Sequence, residues 1–203
     1  MKEFLEPIVQ EVTLEARWLQ TLSLLESIGA QKIEKTVLQK DSLEIIEHHA
    51  DETRHAAAFK MLSHQLSGGK EVTPLCEIDA IHYFQTLDHQ LSEWISRLTD
   101  EQDAFQNYLL VTSIIERRAM KLYPLYKKLT RQELVQQELG RVIEEENSHR
   151  RLIEKQCLEI LNRYGVTNFD ECEAMEEKLF QEFVKSLSSH CKNNHLTSHR
   201  VIS

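Results

Sequence analysis

Four long stretches of this chain repeat apolar residues at the three- and four-residue spacing of an α-helix, and each carries glutamate on its apolar stripe. The first runs from about Pro7 to about Gln39, with Ile8, Val12, Leu19, Leu22 and Ile33 inward and both Glu15 and Glu26 on the same stripe. The second starts behind Asp41 and Ser42 as caps, with Glu44 placed for a capping box, and ends at Gly68-Gly69. Its inner face reads Ile45, His48, Glu52, His55, Phe59, Leu62. The third spans about Glu101 to about Leu129 with Leu109, Ser113, Glu116, Met120 and Tyr123 on one face, and Pro124 predicts a kink or an early end. The fourth follows a second capping-box pattern, Thr130 with Glu133, carries Leu139, Ile143, Glu146, His149, Ile153 and Cys157, and reaches about Arg163 before Gly165 stops it. A glutamate on a buried stripe is costly unless it is protonated, paired or bound to metal.

Composition supports an all-α fold. With 203 residues and 41% apolar content the chain can bury a core of ordinary size, while 5 Gly and 3 Pro are too few turn formers for a many-stranded sandwich. Ile78, Ile81, Leu87, Leu91, Trp94 and Leu98 predict an extra helix, about 76–98, inside a long crossover between the second and third core helices. Met175 to Leu187 predicts a shorter helix outside the bundle, and Ser188 to Ser203, with His190, His195 and His199, reads as a frayed polar end. The organisation expected is a four-helix bundle over 1–165, including the crossover helix, with 166–203 as a C-terminal helix and tail of the same domain. A net charge of −9 argues against coating nucleic acid or an anionic membrane. The first residues carry no apolar run like a signal peptide, and no later run approaches the ~18 apolar residues of a membrane span, so a cytoplasmic location is expected. Cys76, Cys157, Cys172 and Cys191 form no Cys-x-x-Cys, which argues against structural zinc and for reduced thiols.

A Glu-x-x-His step occurs twice, at Glu52-Thr53-Arg54-His55 and at Glu146-Asn147-Ser148-His149. Residues three apart share a helix face, so each pair aims a carboxylate and an imidazole at one point. With 26 Glu and 10 His, chance alone supplies roughly one such step, so the placement on apolar stripes carries the weight. Depth in the hairpins adds to it: Glu116 lies 14 residues before Thr130 and Glu146 lies 16 after. Glu26 lies 15 before Asp41 and Glu52 lies 11 after, whereas Glu15 lies 26 before. Leu24-Leu25-Glu26 also matches Ile114-Ile115-Glu116, against a competing match of Leu14-Glu15-Ala16-Arg17 with Ile115-Glu116-Arg117-Arg118. Glu26 is preferred and Glu15 is the reserve. The candidate metal ligands are then Glu26, Glu52, His55, Glu116, Glu146 and His149. Four carboxylates balance two divalent ions, and carboxylate with imidazole suits iron or manganese, alone or mixed, which in pairs can activate oxygen. His48 could line a pocket or orient a ligand, or be a partly exposed histidine; Asp51 and Arg54 could form supporting pairs. Tyr123 reads as a core aromatic or a redox-active phenol, and His82 and His89 as surface or satisfied histidines.

This set, over about 7–163, resembles the ferritin-like diiron carboxylate superfamily of rubrerythrins, ferritins, ribonucleotide reductase small subunits and bacterial diiron oxygenases. The wording Asp51-Glu52-x-Arg54-His55 is similar to the small diiron oxygenase-type members. The resemblance implies a four-helix bundle around a nonheme dimetal centre, normally two iron ions. No Cys-x-x-Cys pairs follow the bundle as in full rubrerythrin, so an external electron donor is expected, and the helical crossover is unlike a ferritin cage subunit. Three functions stand open: an oxidoreductase using O2 or peroxide on a small organic substrate, a ferroxidase or peroxide scavenger, and a metal-free helical interaction protein. The volume of any pocket beside the metals separates the first two. A homodimer is compatible with all three.

Overall fold

The computed structural model describes residues 1–38, 42–101 and 103–198, with side chains described as far as Cys191. The expected Asp41 cap, the helix end at Gln39, the side chain of His195 and the whole of His199 lie outside the described residues. Among the described residues there are seven α-helices and no strand: α1 (Lys2–Gln10), α2 (Val12–Val37), α3 (Leu43–Leu66), α4 (Glu77–Thr99), α5 (Ala104–Leu129), α6 (Glu133–Asn162) and α7 (Asp170–Ser198).

The first stretch is two helices rather than one. Glu11 is extended (φ −120, ψ 114), which leaves Val12 48% exposed and turns α1 back on the fold. The turn lets α1 bury a second apolar face, with Phe4 edge-on to Trp18 at 5.8 Å and to Phe180 at 6.2 Å. Neither the Ser42 nor the Thr130 side chain caps the helix that follows it. Ser42 is the N-cap of α3, but its hydroxyl donates to the Glu44 carboxylate instead of accepting from a backbone N–H. Thr130 is drawn away because its hydroxyl donates to Glu15 and accepts from Gln132 N at 3.2 Å, so Gln132 becomes the N-cap of α6. Asp103 does cap α5, accepting from Phe105 N at 2.7 Å and Gln106 N at 3.2 Å. Burial of Leu122, Tyr123 and Tyr126 on both sides of Pro124 carries α5 on to Leu129. α7 is far longer than Met175 to Leu187, because its buried face extends from Cys172 to Cys191. Residues 188–198 therefore continue a helix rather than fray, and His190 Nε2 lies 2.9 Å from Arg17 Nη1. Gly165, at φ +80, adopts the left-handed turn that separates α6 from α7.

α2 and α3 pack antiparallel along their length, with Ser63 Oγ donating to Ala16 O at 2.7 Å and Ser23 Oγ to Ala56 O at 2.8 Å. α5 and α6 form the second antiparallel hairpin, tied by Arg117 Nε to Glu154 Oε1 at 2.6 Å. The two hairpins face each other, α2 against α5 and α3 against α6. α4 and α7 pair through stacked Tyr83 and Phe183, 5.8 Å apart, and cover the α2 and α5 side. Under them Glu176 accepts from Tyr83 Oη at 2.6 Å and from Arg118 Nε at 2.8 Å, so this buried carboxylate is fully partnered. Cys76, Cys157, Cys172 and Cys191 are free thiols. Among the described residues no helix is long and apolar enough to cross a membrane.

Candidate metal centre

Spacings of four and three put His48, Glu52 and His55 on one face of α3, and a spacing of three does the same for Glu146 and His149 on α6. Glu26 from α2 and Glu116 from α5 complete the set. Glu26, His48, Glu52, His55, Glu116 and Glu146 are buried, and the side chain of His149 is 18% exposed. Their donor atoms fall into two groups, within each of which all lie within 4.8 Å of one another. Glu26, Glu52, His55 and Glu146 make one group; His48, Glu116 and His149 make the other. All six residues singled out in the sequence are thus brought together, and His48 joins them. It also links the groups: His48 Nε2 lies 3.1 Å from Glu52 Oε1 and 3.4 Å from Glu116 Oε1, and its ring is 4.6 Å from that of His149.

Each imidazole is held by its other nitrogen. His55 Nε2 lies 2.8 Å from Glu145 Oε2, leaving Nδ1 3.2 Å from Glu146 Oε1. His149 Nε2 lies 3.0 Å from Asp51 Oδ2, and His48 Nδ1 lies 2.9 Å from Tyr108 Oη. An acid precedes each Glu-x-x-His, and each acid supports the imidazole of the opposite motif. Arg54 spans the two acids, with Nη2 2.7 Å from Asp51 Oδ1 and 2.9 Å from Glu145 Oε2. Tyr123 donates to the Glu26 carboxylate, buried against Phe59. Orientation of an imidazole through its far nitrogen fixes both the tautomer and the ring, as at metal sites.

Burial and then neighbouring carboxylates push Glu26, Glu52 and Glu116 up. Glu52 reaches about 8, and Glu26 and Glu116 are also raised well above the usual carboxylate range. Burial pushes His48 down to about 4 and lowers His149, with His48 as the second cause. Burial also works against a charged His55, but the Glu146 carboxylate and the Glu26 charge overcome it and hold that ring at about 9. The Glu146 contact with His55 lacks hydrogen-bond angles, so His55 Nδ1 is buried without a hydrogen bond, as are His149 Nδ1 and both carboxylate oxygens of Glu116. Orphaned polar atoms in a protein interior are costly and uncommon. Four of the ten buried side-chain atoms without a hydrogen bond among the described residues are carried by residues of the two donor groups, and oxygen plus imidazole donors are the set that iron or manganese takes. The residues therefore fit a divalent ion in each group.

None of the protein-family models, curated proteins or solved structures compared with the chain matches it.

The reserve ligand lies elsewhere. Glu15 is fully buried, but its carboxylate accepts from Thr130 and from Tyr126 Oη at 3.2 Å, at the far end of the first hairpin and in neither donor group. His82 and His89 are exposed on α4. Asp51 and Arg54 make the supporting pairs expected of them, whereas Glu145 and Tyr108 went unnoticed in the sequence. The signal for Glu145 was present: Asp51-Glu52 and Glu145-Glu146 are the same acidic pair at the head of the same motif. His48 was visible as a residue on the stripe one turn before Glu52, but a stripe does not tell a ligand from its support.

Two cavities reach the donors. One, of about 80 Å³, is lined mostly by apolar side chains of α2, α4, α5 and α7 and touches Glu26, Glu52, Glu116 and Glu146. The other, of about 270 Å³, is a more polar groove against His48, His149 and Tyr108, with Gln156, Glu159 and Arg163 at its rim.

Proposed function

We propose that this chain is a nonheme dimetal oxidoreductase, with α2, α3, α5 and α6 as a ferritin-like four-helix bundle, which uses O2 or peroxide to oxidise a small organic substrate. The observation that carries the reading is the pair of buried donor groups supplied by four helices, whose Glu116, His55 and His149 carry buried polar atoms without a hydrogen bond. Glu26, Glu52, His55 and Glu146 would hold one ion and His48, Glu116 and His149 the other; when bound, two iron ions supply the electrons that activate oxygen. The chain's own part is to hold three imidazoles in fixed tautomers, to keep the carboxylates in a dry interior, and to open an apolar cavity beside them. That cavity favours an organic substrate over a scavenger, whose only substrate is the oxidant or the metal. Reducing equivalents would come from an external donor.

Elemental analysis of freshly purified protein, with an optical spectrum after ferrous loading in air, tests the reading. Two iron or manganese ions per chain are expected, and Glu52→Ala with Glu146→Ala removes them while helix content is retained. Stoichiometric iron in that double variant, or no transition metal in the wild type, refutes it.

A further inference from the structure

The apolar cavity is lined almost entirely by buried residues. Only Leu25, Gly29 and Lys32 on α2 and Ile115 and Ala119 on α5 keep partial exposure. Spacings of four and three put the first three on one helix face, and a spacing of four does the same for the other two, so the mouth is the seam between α2 and α5. Gly29 stands between Leu25 and Lys32, well inside α2, where glycine is less stable than alanine because it loses more backbone freedom on folding. Packing does not ask for it. A Cβ added there would lie 3.4 Å from Glu52 Oε2, an ordinary contact, and would meet nothing else within 4 Å outside its own stretch of helix. The bare backbone therefore leaves a methyl-sized gap against a carboxylate oxygen of the first donor group. Glu52 is also the accessible member: its side chain is 10% exposed, against 3% for Glu146 and 0% for His55.

The mouth offers little polarity. Leu25, Ile115 and Ala119 have no hydrogen-bonding group in their side chains, and the Lys32 ammonium is taken by Asp88, which also accepts from Asn107 Nδ2 at 3.3 Å. An ion would give up its water with nothing to replace it, and peroxide would leave its hydroxyls unpaired, whereas O2 forfeits nothing. We infer that O2 enters through this seam and reaches the first donor group on the Glu52 side, with Gly29 as the residue that keeps the passage open. Use of that O2 at a metal rests on the dimetal reading above; the passage does not.

The test reads passage without metal and with it. In chelator-treated protein carrying Trp94→Phe, O2 quenching of phosphorescence reports arrival at Trp18, which lines the same cavity. In Fe(II)-loaded protein, stopped-flow binding of NO, a diatomic like O2, reports arrival at the centre, and iron content is read on the same samples. Gly29→Leu fills the gap, so both rates should fall about tenfold or more, because entry then waits for local opening of the fold. Gly29→Ala should lower both rates about threefold and yet raise Tm by about 2–4 °C, since alanine suits the helix better. Acrylamide, larger and polar, should quench Trp18 far more slowly than O2 in every variant. Rates unchanged in both Gly29 variants, a lower Tm in Gly29→Ala, or acrylamide quenching as fast as that by O2 overturns the inference. Slowed quenching in a protein that takes up no iron supports the passage and sinks the dimetal centre; iron uptake with both rates indifferent to Gly29 does the reverse.

Discussion

Stripping metal from the centre should make the fold lose stability as pH rises through neutrality. Burial, with the Glu146 carboxylate second, lifts Glu52 from 4.5 to about 8, and Glu146 and Glu26 hold His55 at about 9 against its ordinary 6.5. In both cases the folded chain binds the proton more tightly than the unfolded chain does. The stability each group contributes is therefore complete below its unfolded pKa and is lost as pH climbs to the folded value. His48 and His149 are lowered and act in the opposite sense, adding stability as pH rises, but only up to their unfolded value of 6.5. The window from pH 6.5 to 8 thus isolates Glu52 and His55 from the two lowered histidines. At about 1.4 kcal/mol per unit, Glu52 and His55 each lose about 2 kcal/mol across it, and Glu26 and Glu116, which burial and neighbouring carboxylates also raise, lose stability in the same direction, so the fall is at least about 4 kcal/mol. For a chain of this size that is a fall in Tm of about 8–16 °C.

Bound metal displaces those protons, so the loaded protein should keep a nearly level Tm over the same window and the gain from metal should grow with pH. The assay is thermal unfolding followed by circular dichroism at several pH values between 6.5 and 8, with and without Mn(II) after chelator treatment. Glu52→Gln keeps the shape of the side chain and removes its titration, so the metal-free slope should become shallower. A metal-free Tm that is level or rises with pH refutes the reasoning, as does the same slope in the loaded protein or in Glu52→Gln.

Three further outcomes follow from the same contacts. His48→Ala should weaken the second of two Mn(II) equivalents by about tenfold or more and leave the first near wild type, because only the group with Glu116 and His149 loses a donor; equal weakening of both would refute the grouping. Asp51→Asn and Glu145→Gln should each lower metal affinity about 10–100-fold, read by chelator competition, by freeing the far nitrogens of His149 and His55 respectively; unchanged affinity in both would show that the bracing is idle. Glu15→Gln should leave metal stoichiometry intact and cost about 1–3 kcal/mol, because the amide oxygen still accepts from Thr130 and Tyr126 but its NH2 takes the place of Oε2, which is buried without a partner; lost metal would return Glu15 to the site.

The parts of the fold legible in the sequence are those set by periodicity. Stripes such as Leu139, Ile143, Glu146, His149, Ile153 continue through the structure, and equal distances from a turn put Glu116 and Glu146 in neighbouring donor groups. What failed were local signals overruled by tertiary contacts. Thr130 reads as a helix cap, but a buried carboxylate eleven residues before Glu26 competes for the same hydroxyl and wins, since an unpartnered Glu15 would cost more than an uncapped α6. The same preference for burial folds α1 back at Glu11 and lengthens α7 past Leu187. Nothing within either stretch announces a partner that lies more than a hundred residues away.

The donor set also has an imbalance that the six-residue pattern hides. Two matching Glu-x-x-His motifs and two lone glutamates suggest two equal sites, yet the interior places three carboxylates and one imidazole in one group, one carboxylate and two imidazoles in the other. The imbalance has two sources: Glu146 falls with Glu26, Glu52 and His55 rather than with His149 of its own motif, and His48 has no counterpart on α6, where Val142, an apolar core residue, stands four residues before Glu146. An ion in the first group would have its charge more than cancelled by carboxylates, whereas an ion in the second would keep net positive charge beside neutral imidazoles and face the polar groove at His149. The near-repeat of the hairpins therefore builds the frame, and these two departures from it make the two positions chemically different.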